Sequence, residues 1–212
     1  MLQNCTAVIL AGGKSQRMGL PKGLQIYNGH FWLLEHIKRL KSGSITKVLI
    51  GLGFDAELYY KAIPELRLAL NNYFNYDAMQ LKVVLNTQPQ LGSFSTLKNV
   101  LKATDKIEDV LICPIDVPIL KVSELKKLIK AKALIAKPVY KNKSGHPVKI
   151  STSFAKHLLN QPNSSQLDTL ISKVPAKDVS KVNCSDKQIL LNLNSPKDWK
   201  NYTDNITLTQ KY

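Results

Sequence analysis

The residues whose types and spacing point most directly to chemistry stand together near the start of the chain, in Leu10-Ala11-Gly12-Gly13-Lys14-Ser15-Gln16-Arg17-Met18-Gly19-Leu20-Pro21-Lys22. Paired glycines give access to positive φ and bring backbone N–H groups close to a ligand, a geometry that suits phosphate oxygens. Lys14, Arg17 and Lys22 add positive charge, and no Asp or Glu between Met1 and Leu34 cancels it. The loop is an anion site. A second stretch, Gly92-Ser93-Phe94-Ser95-Thr96-Leu97, puts hydroxyls and unpaired N–H groups at a helix start, which suits either a ligand's polar edge or capping of the helix by Ser93 or Ser95. Asp116 follows an apolar run, where open α/β sheets bind ligands, and is the best metal-ligand candidate in the chain. Its plain alternative is a turn or helix cap.

Two common nucleotide motifs are excluded by spacing. No Gly-Lys-Ser/Thr closes the glycine run as a P-loop requires, and Lys14 stands where a dinucleotide fingerprint would continue with glycine. What remains, Leu-Ala-Gly-Gly-x-Ser-x-Arg-Met-Gly-x-Pro-Lys, resembles the signature loop of the MobA-like nucleotidyltransferases, especially the branch with molybdopterin cytidylyltransferase. Pro114-Ile115-Asp116-Val117-Pro118 resembles that family's metal-binding aspartate element. Gly92 to Leu97 resembles its Gly-x-x-Ser-Ser-Leu-like element, with Thr96 in place of Ser, and Gly145-His146-Pro147-Val148 resembles one on the acceptor side of the cleft. Leu190 to Trp199 resembles its closing Asp-x-Asp-Thr-Pro-Glu-Asp element, with neutral Asn192 and Asn194 as departures. The likeness runs from Val8 to Trp199.

The resemblance implies transfer of a nucleoside monophosphate from a triphosphate to a phosphorylated acceptor such as molybdopterin, with release of pyrophosphate and with Mg²⁺ as cofactor. In that reading Leu10, Ala11, Gly12, Gly13 and Ser15 hold the nucleotide, and Arg17 and Lys22 neutralise its phosphates. Gly92, Ser93, Ser95 and Thr96 face base and sugar. Asp116 and Asn194 hold the metal, with Arg17, Lys22 and Asp116 as the catalytic set, and Gly145 and His146 line the acceptor side. The Gly12-Gly13 pair resembles the guanylyltransferase branch, whereas Gly92–Leu97 and Gly145–Val148 resemble the cytidylyltransferases; the expectation is CTP, with GTP as the competitor. The rivals are a sugar- or polyol-phosphate nucleotidyltransferase and a non-catalytic nucleotide- or nucleic-acid-binding relative.

Elements must position these residues. Apolar runs at Ala7–Ala11, Lys47–Leu52, Leu81–Leu85 and Glu108–Ile115 read as buried strands. Helical spacing marks His30–Lys41, Asp55–Asn71 with a break near Pro64, Phe94–Ala103 and Val122–Lys132, and strand and helix alternate. Asn28-Gly29 signals a tight turn, Ala133–Tyr140 is extended, Phe154–Asn160 and Gln166–Lys173 are helical, and Ser195-Pro196 opens a last helix. The expected fold is α/β, a three-layer Rossmann-like, mostly parallel sheet with helices on both faces, in one domain over residues 1–212. The family likeness implies the nucleotide-diphospho-sugar transferase-like version.

Composition narrows the setting. Three scattered cysteines, Cys5, Cys113 and Cys184, make neither a disulfide framework nor a zinc site, so a reducing cytoplasm is expected. No apolar run is long enough to span a membrane. The net charge of +15 is compatible with nucleic acid, anionic lipid or phosphorylated small molecules. Between Lys121 and Lys156 ten lysines face the single acid Glu124, without interleaved aromatics for base stacking. That pattern favours a solvated face over a nucleic-acid surface.

Overall fold

β1 (Cys5–Leu10) is the strand on which the sheet is built, and its side chains show why. Ala7 and Ile9 point into one hydrophobic cluster and Val8 into the other, so the strand is buried on both faces. The same period-two division holds in β4 (Lys47–Leu52), with Val48 and Ile50 on one face and Leu49 on the other, and in β7 (Asp109–Pro114), with Leu111 and Cys113 opposite Val110 and Ile112. This computed structural model describes residues 5–209, and side chains through residue 204.

β4 and β7 flank β1, both parallel to it, and β6 (Met79–Leu85) extends the sheet parallel to β4. Beyond β6 lies β5 (Phe74–Tyr76), antiparallel to it. On the other side of β7, β10 (Val148–Ile150) runs antiparallel between β7 and β8 (Ile135–Tyr140), and β11 (Val179–Asn183) closes the edge parallel to β8. β9 (Lys143–Ser144) pairs with β8, which makes nine strands in this sheet. A two-stranded hairpin, β2 (Ile26–Tyr27) and β3 (His30–Phe31), stands apart.

Helices cover both faces, as the three-layer expectation required. α1 (Trp32–Ser42), α2 (Ala56–Ala62), α3 (Glu65–Leu68), α5 (Val122–Lys130) and α8 (Pro196–Thr209) bury Ile37, Tyr59, Leu66, Leu125 and Tyr202 in the first cluster. α4 (Ser93–Lys102), α6 (Thr152–Leu159) and α7 (Leu167–Ser172) bury Leu97, Phe154 and Ile171 in the second. Among the described residues no helix is long and apolar enough to cross a membrane.

The departures from the sequence reading have local causes. The first helix starts at Trp32 instead of His30, because Asn28-Gly29, with φ of 50° and 81°, folds His30-Phe31 back onto Ile26-Tyr27. The segment 55–71 forms two short helices and stops at Leu68, since Leu70 bridges to Val83 and Asn71 takes φ 59°. β5 and β11 lie at the sheet's edges, where one-sided burial weakens the apolar pattern that betrays the central strands.

Candidate active site

The ends of β1 and β7 create the site. Leu10 pairs with Gly51 on one side and Pro114 on the other; beyond it Ala11 N–H donates to Gly51 O at 2.9 Å, and Leu10 O accepts from Ile115 N–H at 3.1 Å. The glycine loop therefore leaves a rigid edge. Neither Gly12 nor Gly13 takes the positive φ expected of the pair; in the loop that conformation belongs to Gly19. What Gly12 supplies is close approach. A Cβ there would sit 3.1 Å from Thr96 Oγ1 and 3.2 Å from Gly53 N, whereas around Gly13 nothing lies within 4 Å.

The loop is tied shut by a residue that sits inside it. Ser15 Oγ accepts from Lys22 N–H at 3.1 Å, and the next N–H, of Gly23, donates to the buried Tyr59 hydroxyl at 3.1 Å. The backbone at Lys22 is thereby anchored. Its ammonium Nζ lies 3.0 Å from Asp116 Oδ2 and 2.5 Å from Asn194 Oδ1, with side chains of Lys22 and Asp116 about a fifth to a quarter exposed. Asn194 reaches this point from the far end of the chain by two ties. Leu193 N–H donates to Asp116 O at 2.8 Å, and Asp198 Oδ2 accepts from the N–H groups of Asn194 and Ser195 at 3.2 and 2.9 Å. Asp198 N–H in turn donates to Ser195 Oγ, a capping box at the start of α8. The Ser195 bonds, reinforced by the positive charge of Arg17, hold the Asp198 carboxyl below its ordinary range.

A cleft of about 540 Å³ opens here. Of the residues singled out in the sequence, Leu10, Ala11, Gly12, Gly13, Ser15, Lys22, Gly92, Ser93, Thr96, Asp116 and His146 line it. Others stand elsewhere. Arg17 is exposed on the loop and does not line the cleft, although its charge is felt at Asp198. Ser95 is 2% exposed; its hydroxyl donates to Gly92 O at 2.8 Å and accepts from Asn86 Nδ2 at 2.9 Å. Gly145 packs on the backbone of Ile189, where a Cβ would meet the carbonyl oxygen at 2.1 Å, and does not line the cleft either. Asn194 contributes only through its reach to Lys22.

The α4 entrance is shaped by two features. Gly92 holds φ 91° and ψ −178°, a conformation essentially confined to glycine, and so turns the chain into the helix. Asn86, 2% exposed, donates to Ser95 Oγ and Thr96 Oγ1 and accepts from Gln88 N–H and Asn99 Nδ2, each at 2.9–3.0 Å. Every polar group of that amide has a partner. A buried asparagine leaves no mark in the hydrophobic pattern, so nothing in the sequence marks Asn86 for this role. Asp198 did have a signal, the Ser-x-x-Asp spacing of a helix start.

The cleft is also lined by Ser164, Ser165, Gln166, Leu167 and Asp168, for which the sequence holds no signal beyond a helix start at Gln166. Burial pushes the His146 imidazole below its ordinary value, against the opposing pull of Asp168 and Asp116. His146 is therefore neutral at pH 7, and its Nδ1 is buried without a hydrogen-bond partner.

A family profile described as the MobA-like NTP transferase domain matches residues 7–179. The chain belongs to that family. A Rhodopirellula baltica protein named "Probable molybdenum cofactor guanylyltransferase" is 27% identical over 127 residues, which are 58% of this chain and 54% of that protein. The chain thus aligns with about half the length of that curated relative. Among solved structures, a nucleotidyl transferase from Methanothermobacter superposes with a TM-score of 0.76 at 18% identity, covering 97% of this chain and 98% of that one. A manganese complex of a Mycobacterium tuberculosis H37Rv protein superposes with a TM-score of 0.71 at 18% identity, covering 95% and 98%. At these identities the superpositions speak for the MobA-like fold alone.

Proposed function

We propose that the protein is a nucleotidyltransferase that moves a nucleoside monophosphate from a triphosphate to a phosphorylated acceptor. The observation that carries this reading is the convergence of Lys22, Asp116 and Asn194 beside a glycine loop at the carboxyl ends of β1 and β7. An acceptor phosphate oxygen attacks the α-phosphorus, the bond to the bridging oxygen breaks, and pyrophosphate leaves. Such displacement depends on positioning and on neutralising charge more than on covalent chemistry by the protein. The Lys22 ammonium neutralises phosphate charge at the centre of the cleft, Lys14 adds to it from the rim, and backbone from Leu10 to Gly13 holds the nucleotide.

The donor set suits a hard divalent cation. Asp116 Oδ2 and Asn194 Oδ1 converge on one point, the position of Lys22 Nζ, and Mg²⁺ or Mn²⁺ is commonly held by one or two protein oxygens together with waters and substrate phosphates. Among the described residues no group of three or more His, Cys, Asp or Glu could hold a metal, so an all-protein cage is not the arrangement. A cation held by Asp116 and Asn194 would supply further charge neutralisation to the phosphates.

For the base, the reading shifts from CTP to GTP. CTP rested on Gly92–Leu97 and Gly145–Val148, yet the Ser95 hydroxyl is engaged with Gly92 O and Asn86, and neither Ser95 nor Gly145 lines the cleft. GTP is supported by Gly12-Gly13 and by the name of the Rhodopirellula relative, which also supports a molybdopterin acceptor. Thermal shift with GTP, CTP, ATP and UTP in Mg²⁺ tests both levels, because a ligand bound by the native state raises the melting point. The largest shift is expected with GTP. A largest shift with CTP restores the pyrimidine, and no shift with any triphosphate overturns the enzymatic reading.

A further inference from the structure

The peptide groups on either side of Asp116 are both held in place. The one before it joins Ile115 C=O to Asp116 N–H in a single plane, so fixing that carbonyl fixes the point from which the aspartate side chain departs. Ile115 O accepts from the Trp32 indole Nε1–H at 2.8 Å in a buried setting, Trp32 being 0% exposed. The peptide after it is held through Asp116 O, which accepts from Leu193 N–H at 2.8 Å. Further along, Ile119 O accepts from Arg39 Nη1 at 3.3 Å, and Arg39 is itself steadied by Glu35 Oε1 at 2.5 Å. Trp32 and Arg39 lie about two turns apart on one face of α1. Helix α1 thus grips the Asp116 turn at both ends.

The same indole seats the segment that carries Asn194. Trp199, near the start of α8, meets the Trp32 ring edge-on with centroids 5.3 Å apart, and Tyr202 meets it at 5.6 Å. Tyr27 closes the cluster, 5.1 Å from Trp32 and 6.5 Å from Trp199. Edge-to-face pairs at such separations add directional stability to the burial of the rings. Asp198, next to Trp199, carries the bonds to the N–H groups of Asn194 and Ser195. Trp32 therefore touches both arms on which the oxygens of Asp116 and Asn194 are mounted. A leucine or phenylalanine would fill much of this space, but neither would satisfy the buried Ile115 carbonyl.

We propose that Trp32 is a positioning residue for the divalent cation: its N–H sets Asp116 through the Ile115 carbonyl, and its ring sets Asn194 through Trp199, so that one indole fixes the separation of the two oxygens. The inference rests on the metal-dependent reading of the site and deepens it. Trp32 does not line the cleft, so it acts only through these two arms.

The test reads binding of Mn²⁺ alone to the full chain by electron paramagnetic resonance, with the thermal shift by GTP in EDTA read separately. Trp32→Phe keeps most of the ring and deletes the donor; Mn²⁺ affinity should fall roughly tenfold, as when a partner that orients a ligating carboxylate is lost, while the GTP shift is unchanged. His36→Leu removes another neighbour of the same ring, one with no hydrogen bond to the Asp116 turn, and should leave Mn²⁺ affinity unchanged. Trp199→Ala should lower that affinity severalfold in the wild type and not at all in an Asn194→Ala background, because the two residues act through one contact. This cycle decides the matter if Trp32→Phe does not fold. Equal Mn²⁺ affinity in Trp32→Phe and wild type overturns the positioning role and leaves the metal reading intact. An equal loss in His36→Leu, or additive losses in the Trp199–Asn194 cycle, makes the indole a stability element only and overturns it likewise. No Mn²⁺ binding by the wild type, with the GTP shift retained, overturns the metal reading and the positioning role with it.

Discussion

Lys22 Nζ and Asp116 Oδ2 meet at 3.0 Å although 94 residues separate them in sequence, and the contact joins the glycine loop to the end of β7. Asn194 Oδ1, 2.5 Å from the same nitrogen, adds the C-terminal segment. One ammonium thus links three parts of the chain at the mouth of the sheet. On the proposed reading these two oxygens also hold the divalent cation, so Lys22 and that cation would compete for them.

That competition separates metal binding from turnover. Lys22→Gln removes the competing charge, and Mn²⁺ affinity measured by electron paramagnetic resonance should rise severalfold. Turnover should fall by well over tenfold, since loss of one charged contact to the reacting phosphates costs roughly 3–4 kcal/mol. Weaker Mn²⁺ binding in Lys22→Gln would mean that Lys22 organises Asp116 and Asn194 for the metal instead of competing with it.

Asp116 and Asn194 should not be equivalent. A carboxylate binds Mg²⁺ more strongly than an amide oxygen, because its full charge better offsets the cost of dehydrating the ion. Asp116→Asn should abolish most activity, whereas Asn194→Asp should lower the half-maximal Mg²⁺ concentration. The measurement is activity against Mg²⁺ concentration for each variant. Full activity in Asp116→Asn would remove it from the centre, and inactivity of Asn194→Asp would indicate that the Asn194 amide donates its N–H₂ to a substrate.

The centre of this fold was legible because burial on two faces writes continuous apolar runs: Lys47–Leu52 was bounded to the residue, and Val8, Ile9 and Leu49–Leu52 announce a parallel core. The loop was legible because glycines, a lysine and a Pro-Lys pair at fixed spacing have few structural uses. What stayed hidden was tertiary. Ser15 was a ligand candidate, yet its role as the acceptor that closes the loop on Lys22 N–H depends on a seven-residue return that no periodicity encodes. Ser95 looked like a base contact because the spacing of Gly92–Leu97 does not reveal which hydroxyls Asn86 occupies. The Ser164–Asp168 wall was invisible because only the antiparallel turn of β10 brings its neighbour His146 to the same edge.

Asn86 makes a prediction about stability rather than catalysis. Its side chain bridges the end of β6 to the first turns of α4 through three bonds, to Ser95, Thr96 and Asn99, and accepts a fourth from Gln88 N–H. Asn86→Ala leaves Gln88 N–H and the Asn99 amide without that acceptor, and it should cost roughly 2–3 kcal/mol. For a chain of this size that lowers the melting temperature by several degrees. Differential scanning calorimetry checks it; a shift within error would show that water replaces the amide at little cost.

The last prediction concerns pH and a residue far from the cleft. His36 on α1 is 0% exposed, neither ring nitrogen has a hydrogen-bond partner, and the ring packs edge-on against Trp32 at 4.7 Å between centroids. Burial, reinforced by the charge of Arg39, pushes its imidazole down to about 3 from an ordinary 6.5. A lowered histidine makes the unfolded chain the better proton binder between those two values, so stability is complete above pH 6.5 and is lost as pH falls below it. The slope is about 1.4 kcal/mol per pH unit. Glu35, held low by its bonds to His30 and Arg39 in spite of its burial, has the same sign, but its loss begins only near pH 4.5. His146 is also lowered by burial and contributes with the same sign. Between pH 7.5 and 5.0 the wild type should therefore lose roughly 2 kcal/mol through His36 alone. His36→Leu keeps an apolar side chain against Trp32 and removes the titration, so urea unfolding midpoints at the two pH values should draw closer together than in the wild type. An unchanged gap between those midpoints would mean that His36 takes up its proton in the folded chain without penalty.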